Sequence, residues 1–315
     1  MAVEVARGKA HFPAWNTARW WLSVDAYQRD PERFLANLDA GLALFAQHGI
    51  GFIPLLFNRW LDPVCDFGGV PLDHLVPQHS AWNRTDDLFA DVDAAGRQRC
   101  PVEEVHHRYL TAVVGRHRDD ERVVAWDLCN EALMGGYVDD DASPVRAAEL
   151  RWLGWLRDVC RSTGASQPLT IGNYASTTAV ALTEPLSDVI SVHPYFMWNL
   201  DPAAQPMASK EVFEQHLDAW VDLAAAAGKG LLASETVWGA RDDATHVEVL
   251  RYTLGELRRR GIGFTAHALH HSQVSDLHRD AYGPVGLPEC LHFLEADGSL
   301  RAGHEAFNDY APTPT

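Results

Sequence analysis

Two glutamates stand at the ends of apolar segments and are the residues best placed to do chemistry. The segment WDLCN (126–130) runs into Glu131, and the segment LLAS (231–234) runs into Glu235. In a barrel of parallel strands, side chains at the carboxyl ends of the strands point into the mouth. The 104 residues between the two glutamates correspond to three strand–helix units of roughly 35 residues each. We therefore expect the two carboxylates on strands across such a mouth from each other.

A pair of carboxyl groups is suited to breaking a glycosidic bond. When the two groups lie about 5–5.5 Å apart, one donates a proton to the leaving oxygen while the other attacks the anomeric carbon. A single glutamate after an apolar strand is commonly a surface or loop residue. Two of them in matching contexts, one preceded by Asn130, favour the catalytic pair.

The elements that would position these residues alternate along the chain. Predicted strands span 17–24, 51–57, 123–128, 168–172, 188–193, 230–234 and 263–269. Predicted helices span 2–11, 31–48, 102–117, 144–161, 211–227 and 245–260. Such alternation implies a parallel sheet covered by helices. A closed barrel suits these connections better than an open doubly wound sheet, and no GxGxxG or GxxxxGK[ST] phosphate loop appears.

The predicted fold class is therefore α/β, a (β/α)8 TIM-type barrel, with one catalytic domain over residues 1–315. An eight-stranded barrel needs a strand and a helix before Thr17, but only 16 residues precede it. The first strand is thus predicted to be missing or irregular. Either the chain starts late or another segment fills that gap.

Composition restricts the partners. A formal net charge of −17 opposes binding to nucleic acid or to an anionic membrane surface, since both need clustered cations. The five cysteines form no CxxC pair and suit a reducing compartment. No apolar run reaches membrane-spanning length, and the N-terminus lacks the zones of a signal peptide. A cytoplasmic location is expected, and no cofactor is predicted.

Four motifs make the sequence similar to a known family. In chain order they are Arg19, Asn130-Glu131, His193-Pro194-Tyr195 and Glu235. The set resembles clan A of the retaining glycoside hydrolases and is most similar to family 5, the cellulase and mannanase family. The similarity covers residues 12–310, and the segment 297–301 resembles the hairpin that leads into the family's last helix.

The resemblance implies a role for each match. Glu131 would be the acid/base and Glu235 the nucleophile. Tyr195 would donate a hydrogen bond to the nucleophile, and Arg19 would support it with positive charge. Asn130 would hydrogen-bond the sugar 2-hydroxyl, a contact that strengthens in the transition state.

His193 would hydrogen-bond near the substrate. Without the family, two of these residues have simpler interpretations. Arg19 could equally form a structural ion pair, and Tyr195 could be an ordinary aromatic residue at the barrel rim.

The sequence also departs from the family pattern. Relatives usually carry a tryptophan at the end of the eighth strand, beneath the bound sugar, where this chain has His267. The third strand ends in Asn58, where many relatives have histidine. Trp198 and Trp238 are the predicted replacement platforms, with simple packing as the alternative for each.

The histidines do not predict a metal site. None of their groups shows HExxH or HxH spacing with carboxylate support. The residues considered are His106, His107, His267, His270, His271 and His278. His267, His270 and His271 are instead expected to line the sugar pocket.

The leading functional prediction is an exo-acting retaining β-glycosidase on small β-mannosides or β-glucosides. Its partner would be an oligosaccharide or a small β-glycoside, and the oligomeric state is left open. The loop 58–100, with Asp62, Asp66, Trp82 and Asn83, would close one end of the cleft or be a plain surface excursion. A transglycosylase with the same residues and a non-catalytic carbohydrate-binding barrel are the alternatives, and a metal-dependent barrel hydrolase comes last.

Overall fold

The computed structural model describes residues 1–59, 91–92, 98–99, 102–272 and 290–311 of the chain. It divides into two compact units. We call Ala18–Ala43 with Gly51–Ser191 the Glu131 unit, and Met1–Thr17 with Leu44–Ile50 and Val192–Thr315 the Glu235 unit. The assignment of one domain to residues 1–315 stays a prediction.

The strands and helices alternate as the sequence predicts. The strands are β1 (Thr17–Trp21), β2 (Gly51–Leu55), β3 (Asp91–Val92), β4 (Gln98–Arg99), β5 (Trp126–Ala132), β6 (Leu169–Asn173), β7 (Val189–Val192), β8 (Gly230–Thr236) and β9 (Gly263–Ala266). The α-helices are α1 (Ala2–His11), α2 (Val24–Arg29), α3 (Pro31–Gln47), α4 (Glu103–Arg116), α5 (Pro144–Ser162), α6 (Thr177–Thr183), α7 (Lys210–Ala227) and α8 (Asp243–Arg259). Short 3-10 helices span Glu184–Leu186, Pro206–Ala208 and His304–Tyr310.

Parallel strands form the centre of the Glu131 unit, in the order β1-β2-β5-β6-β7. Leu55 of β2 lies opposite Asp127 of β5, and Trp126 of β5 lies opposite Leu169 of β6. Every residue of β5 is buried. A strand buried on both faces is usually a continuous apolar run, and the polar exceptions in β5 are Asp127, Asn130 and Glu131.

Serine caps set where helices of this unit begin. The Ser143 hydroxyl accepts a hydrogen bond from the Arg146 amide, and Pro144 occupies the first helical position of α5. The Ser23 hydroxyl caps α2 in the same way. The strand predicted over 17–24 therefore ends earlier, at Trp21, because the cap at Ser23 starts a helix that the sequence analysis did not identify.

In the Glu235 unit, β8 pairs in parallel with β9, and Leu232 lies opposite Gly263. The Asp242 carboxylate caps α8 by accepting from the Thr245 amide at 2.8 Å. Gly228 ends α7 with a φ of +66°, a conformation that glycine adopts without steric cost.

The segment before Thr17 and the strand β5 can also be compared with the predictions. In the described part of the chain no strand precedes Thr17, and α1 occupies the segment before it. The predicted strand 123–128 is displaced, because β5 runs from Trp126 to Ala132 and so contains Asn130 and Glu131.

Some predicted features lie outside the described residues. They are His278 and the loop residues Asp62, Asp66, Trp82 and Asn83. Among the described residues, no helix combines the length and the apolar character needed to cross a bilayer.

Candidate active site

The end of β5 is irregular where Glu131 stands. Its register against β6 shifts between Asp127 and Asn130, and again between Asn130 and Ala132. Glu131 itself has a φ of +48°, which is uncommon for a non-glycine residue. Such irregularities re-aim side chains at the rim of a sheet.

Arg19 of β1 links two residues of this irregular strand. Its Nε donates to Asp127 Oδ2 at 2.8 Å, and its Nη2 donates to Asn130 Oδ1 at 2.8 Å. Residues three apart on a regular strand point to opposite faces. The register shift therefore explains how one guanidinium reaches both side chains.

Asp127 was missed by the sequence analysis as a site residue. Its side chain is fully buried, and its Oδ1 accepts from the Gly172 amide of β6 at 3.1 Å. The signal that could have identified it is a carboxylate between apolar residues of a predicted strand, since a buried charge needs a partner. Here that partner is Arg19.

Asn130 is held from a second side by Asn58. The Asn130 Nδ2 donates to Asn58 Oδ1 at 3.1 Å, and the Asn130 amide donates to the Phe57 carbonyl. Asn58 follows β2 and is fully buried. The amide orientation of Asn130 is thus determined by Arg19 on its oxygen and Asn58 on its nitrogen.

The neighbouring residue Arg59 forms a separate buried ion pair. Its Nε donates to Glu149 Oε1 at 2.7 Å, and both side chains are fully buried. The Tyr137 hydroxyl donates to the other oxygen of Glu149 at 2.6 Å. These bonds tie the segment after β2 to α5.

In the Glu235 unit, Tyr195 and His267 surround the second glutamate. The Tyr195 hydroxyl donates to Glu235 Oε1 at 2.6 Å. His267 Nδ1 lies 2.9 Å from the Tyr195 oxygen and 3.4 Å from Glu235 Oε1. Hydrogen bonds to the charged form of a carboxyl group favour that form.

His193 lies deeper than its predicted role suggests. Its side chain is fully buried, and its Nε2 lies 3.2 Å from the Ser234 hydroxyl, one residue before Glu235. A contact of His193 with substrate remains a prediction.

The two tryptophans predicted as platforms differ in exposure. Trp198 is 40% exposed, and its Nε1 donates to the Gly239 carbonyl at 3.0 Å. Trp238 is buried; it packs edge-on against Tyr195 and donates from Nε1 to Asn199 Oδ1 at 2.9 Å. Trp198 therefore presents an indole to solvent, whereas Trp238 supports Tyr195.

A second polar cluster of this unit also escaped the sequence analysis. Arg301 Nη1 donates to the His292 carbonyl at 2.9 Å and to Cys290 Sγ at 3.0 Å. His246 Nδ1 lies 2.8 Å from His304 Nε2. Burial, followed by the charge of nearby groups, holds the pKa of His246 well below its usual value.

Among the described pocket histidines, His270 is partly buried, and burial lowers its pKa. Its ring packs edge-on against Trp15, while the ring of His271 packs edge-on against His292. Both histidines therefore have aromatic neighbours within their own unit, and their place in a sugar pocket remains a prediction.

Comparison with known proteins finds relatives that are named as β-glycosidases. No family model matches the chain. A segment of 115 residues, 36% of this chain, is 29% identical to a β-glucuronidase of Paenibacillus borealis. A segment of 130 residues, 41% of this chain, is 26% identical to a probable mannan endo-1,4-β-mannosidase F of Neosartorya fischeri. These matches span 17% and 23% of the lengths of the two relatives.

Solved structures resemble almost the whole chain. The lactosyl-enzyme intermediate of endo-glycoceramidase II from Rhodococcus sp. matches with a TM-score of 0.62 and 16% identity, over 98% of this chain and 73% of that chain. The predicted fold class, a (β/α)8 TIM-type barrel, is confirmed. The predicted resemblance to clan A glycoside hydrolases is also confirmed by these relatives.

Proposed function

We propose that this chain is a retaining β-glycoside hydrolase, with Glu131 as acid/base and Glu235 as nucleophile. One observation carries the proposal. The Glu235 carboxylate, near the end of β8, accepts a 2.6 Å hydrogen bond from the Tyr195 hydroxyl. A short bond from a neutral donor to a carboxylate is what an ionised nucleophile needs.

The fold supports pairing Glu235 with Glu131. In a (β/α)8 barrel the carboxyl ends of all strands lie at one face, where active sites are built. Glu131 is the penultimate residue of β5, and Glu235 is the penultimate residue of β8. We therefore infer that both carboxyl groups act on one substrate.

The first step forms a covalent intermediate. An oxygen of the Glu235 carboxylate attacks the anomeric carbon, and the bond from that carbon to the leaving oxygen breaks. The Glu131 carboxyl group transfers its proton to the leaving oxygen, so that the aglycone departs as an alcohol. An N–H of the Asn130 side chain would donate to the sugar 2-hydroxyl.

The second step releases the sugar. Glu131, now a carboxylate, takes a proton from water while the water oxygen attacks the anomeric carbon. The bond to Glu235 breaks, and both carboxyl groups return to their starting states with overall retention. The Rhodococcus structure, which is named as a lactosyl-enzyme intermediate, supports a covalent intermediate by analogy of fold.

The proposed substrates are small β-mannosides or β-glucosides attacked from one end. The mannosidase relative supports the mannoside, and the exposed indole of Trp198 offers a flat face to a sugar or an aromatic aglycone. Action on soluble substrates within the cytoplasm remains a prediction.

A panel of nitrophenyl β-glycosides tests the proposal. The wild type should hydrolyse at least one member with a product of retained configuration; Glu235→Ala should lose that activity, and Glu131→Ala should be slowed most on the members with the poorest leaving groups. The exposed glutamates Glu121 and Glu248 provide matched controls, because Glu121→Ala and Glu248→Ala should stay active. An inverted product, or unchanged activity in Glu235→Ala, would contradict the proposal.

The same panel separates the alternatives. Transfer of the sugar to an added alcohol in preference to water would indicate a transglycosylase. Binding of a sugar without turnover would indicate a carbohydrate-binding barrel, and loss of turnover on chelation would indicate a metal-dependent enzyme.

A further inference from the structure

His267 lies beside the proposed nucleophile through its position after β9. Its backbone amide donates to the Thr236 carbonyl at 2.9 Å, which fixes the residue next to the end of β8. The imidazole contacts Tyr195 and Glu235, the two groups that define the proposed nucleophile.

The three distances favour one arrangement of the protons. The Tyr195 hydroxyl has one proton, which it donates to Glu235 Oε1 at 2.6 Å. The tyrosine oxygen is then an acceptor toward His267 Nδ1, 2.9 Å away. An unprotonated Nδ1 would face lone pairs on both the tyrosine and the carboxylate oxygens, so the geometry favours the tautomer in which Nδ1 carries a proton.

We propose that His267 is a positioning residue that acts through Tyr195 and Glu235. Its Nδ1–H donates to the tyrosine oxygen and lies close to the carboxylate, so that Glu235 is held in place by a chain of two donors. The proposal rests on the nucleophile role given to Glu235 above.

The Tyr195 ring is held in place by contacts that do not involve His267. Tyr195 is buried, and Trp238 packs edge-on against it with ring centroids 5.5 Å apart. Removing the imidazole should therefore leave the tyrosine ring in place and remove only the hydrogen bond that it accepts.

A pair of substitutions at one position tests the proposal. His267→Phe keeps an aromatic ring without a donor, and His267→Asn keeps an N–H near the place of Nδ1. Loss of a hydrogen bond in a charged network should lower kcat about 10- to 100-fold in His267→Phe, with little change in KM. His267→Asn should recover most of that loss.

Thermal unfolding of both variants checks that the fold is retained. Equal activity of the two variants, or an effect confined to KM, would overturn the proposal and make His267 a substrate contact. Recovery in His267→Asn is the discriminating result, because a merely structural role would not depend on an N–H group.

A measurement made without substrate tests the role of His267 independently of the proposed glycosidase function. In protein with 15N-labelled histidine, the resonance that disappears in His267→Asn should show a protonated Nδ1 and should shift in Tyr195→Phe. An unprotonated Nδ1, or no response to Tyr195→Phe, would overturn the proposal. If the wild type cleaves no β-glycoside, the proposed function fails and this spectrum alone decides the role of His267.

Discussion

Glu131 and Glu235 are both nearly buried, at 7% and 8% exposure, but their surroundings are built from different residues. Glu235 accepts a hydrogen bond from Tyr195, with His267 beside both. Arg19 pairs with Asp127 and donates to Asn130, the residue before Glu131. The described contacts at Glu235 thus reach the carboxylate itself, whereas those of the Arg19–Asp127 pair hold the residue that precedes Glu131.

The backbone differs between the two positions as well. Glu131 has a φ of +48°, and β5 carries two register shifts around it. A register shift also spans Glu235, between Ala233 and Thr236 of β8, but the positive φ there comes later, at Val237, with +76°. The two positions thus share an irregular strand end and differ in the φ of the glutamate itself.

The largest expected effect separates the chemical roles of the two glutamates. In Glu131→Ala, cleavage of substrates with poor leaving groups should fall about 10²- to 10⁴-fold, while dinitrophenyl glycosides, which need no protonation, should still react. Azide should then yield a glycosyl azide of retained configuration. In Glu235→Ala, azide should yield the inverted product. Product NMR is the measurement, and the same stereochemistry from both variants would break the comparison.

A smaller effect concerns the ion pair near Glu131. Arg19→Met leaves the Asp127 carboxylate buried without its partner, and the free energy of unfolding should fall by about 3–5 kcal/mol. The double variant Arg19→Met/Asp127→Leu should regain part of that loss. Urea denaturation measures both. Arg116→Met, which breaks an exposed pair with Asp39, is the control and should matter much less. Equal losses from the two single variants would contradict a buried pair.

Acid should destabilise both units through buried neutral histidines. In the Glu131 unit, burial lowers the pKa of His106 to about 4. A lowered pKa means that the folded state favours the neutral ring, so its contribution is complete above about pH 6.5 and is lost as the pH falls from there toward 4. The loss should reach about 3 kcal/mol. Unfolding free energies measured from pH 8 to 4 check this.

His106→Asn keeps an acceptor for the Trp152 indole, which donates to His106 Nδ1, and should flatten the pH dependence. His304→Asn should act likewise in the Glu235 unit, because burial also lowers the pKa of His304. Substitution of the exposed neighbour His107 should leave the pH dependence in place. An unchanged slope in both buried-histidine variants would refute the explanation.

The smallest effect tests the backbone difference itself. At position 131, where φ is positive, glycine should be more stable than alanine by about 1 kcal/mol. At position 235, which is not among the described non-glycine residues of positive φ, glycine should be less stable than alanine by about 0.5–1 kcal/mol. Chemical denaturation of the four variants gives both signs. The same sign at both positions would remove the backbone part of the comparison.

Sequence reasoning located the elements better than the contacts between them. The apolar runs that became β2, β6 and β8 are short and bounded by turn residues, and buried strands need such runs. The helix α2 was missed because its six residues are too few to show a helical period. The end of β5 was placed too early because Asn130 and Glu131 are polar, although both are buried in the strand.

In the candidate site, too, individual residues were predicted better than the contacts between them. Glu131 and Glu235 were singled out because each follows an apolar run in the sequence, whereas Tyr195 and His267 were identified through the resemblance to the family. The partnership of Arg19 with Asp127 was not identified, since 108 residues separate them. Nor did any spacing rule predict that Asp127 and Asn130 share one guanidinium, because a regular strand would point them to opposite faces.

The sequence by itself determined the alternation of strands and helices, because burial of apolar side chains depends on a local pattern that the chain carries in order. It also determined which carboxyl groups stand at strand ends. The tertiary structure alone decided the partners of those groups: the register shifts of β5, the Asn58 contact, and the hydrogen bonds that join Tyr195 and His267 to Glu235. The physical reason is that a hydrogen bond depends on distances of a few tenths of an ångström, which arise only when distant segments have packed.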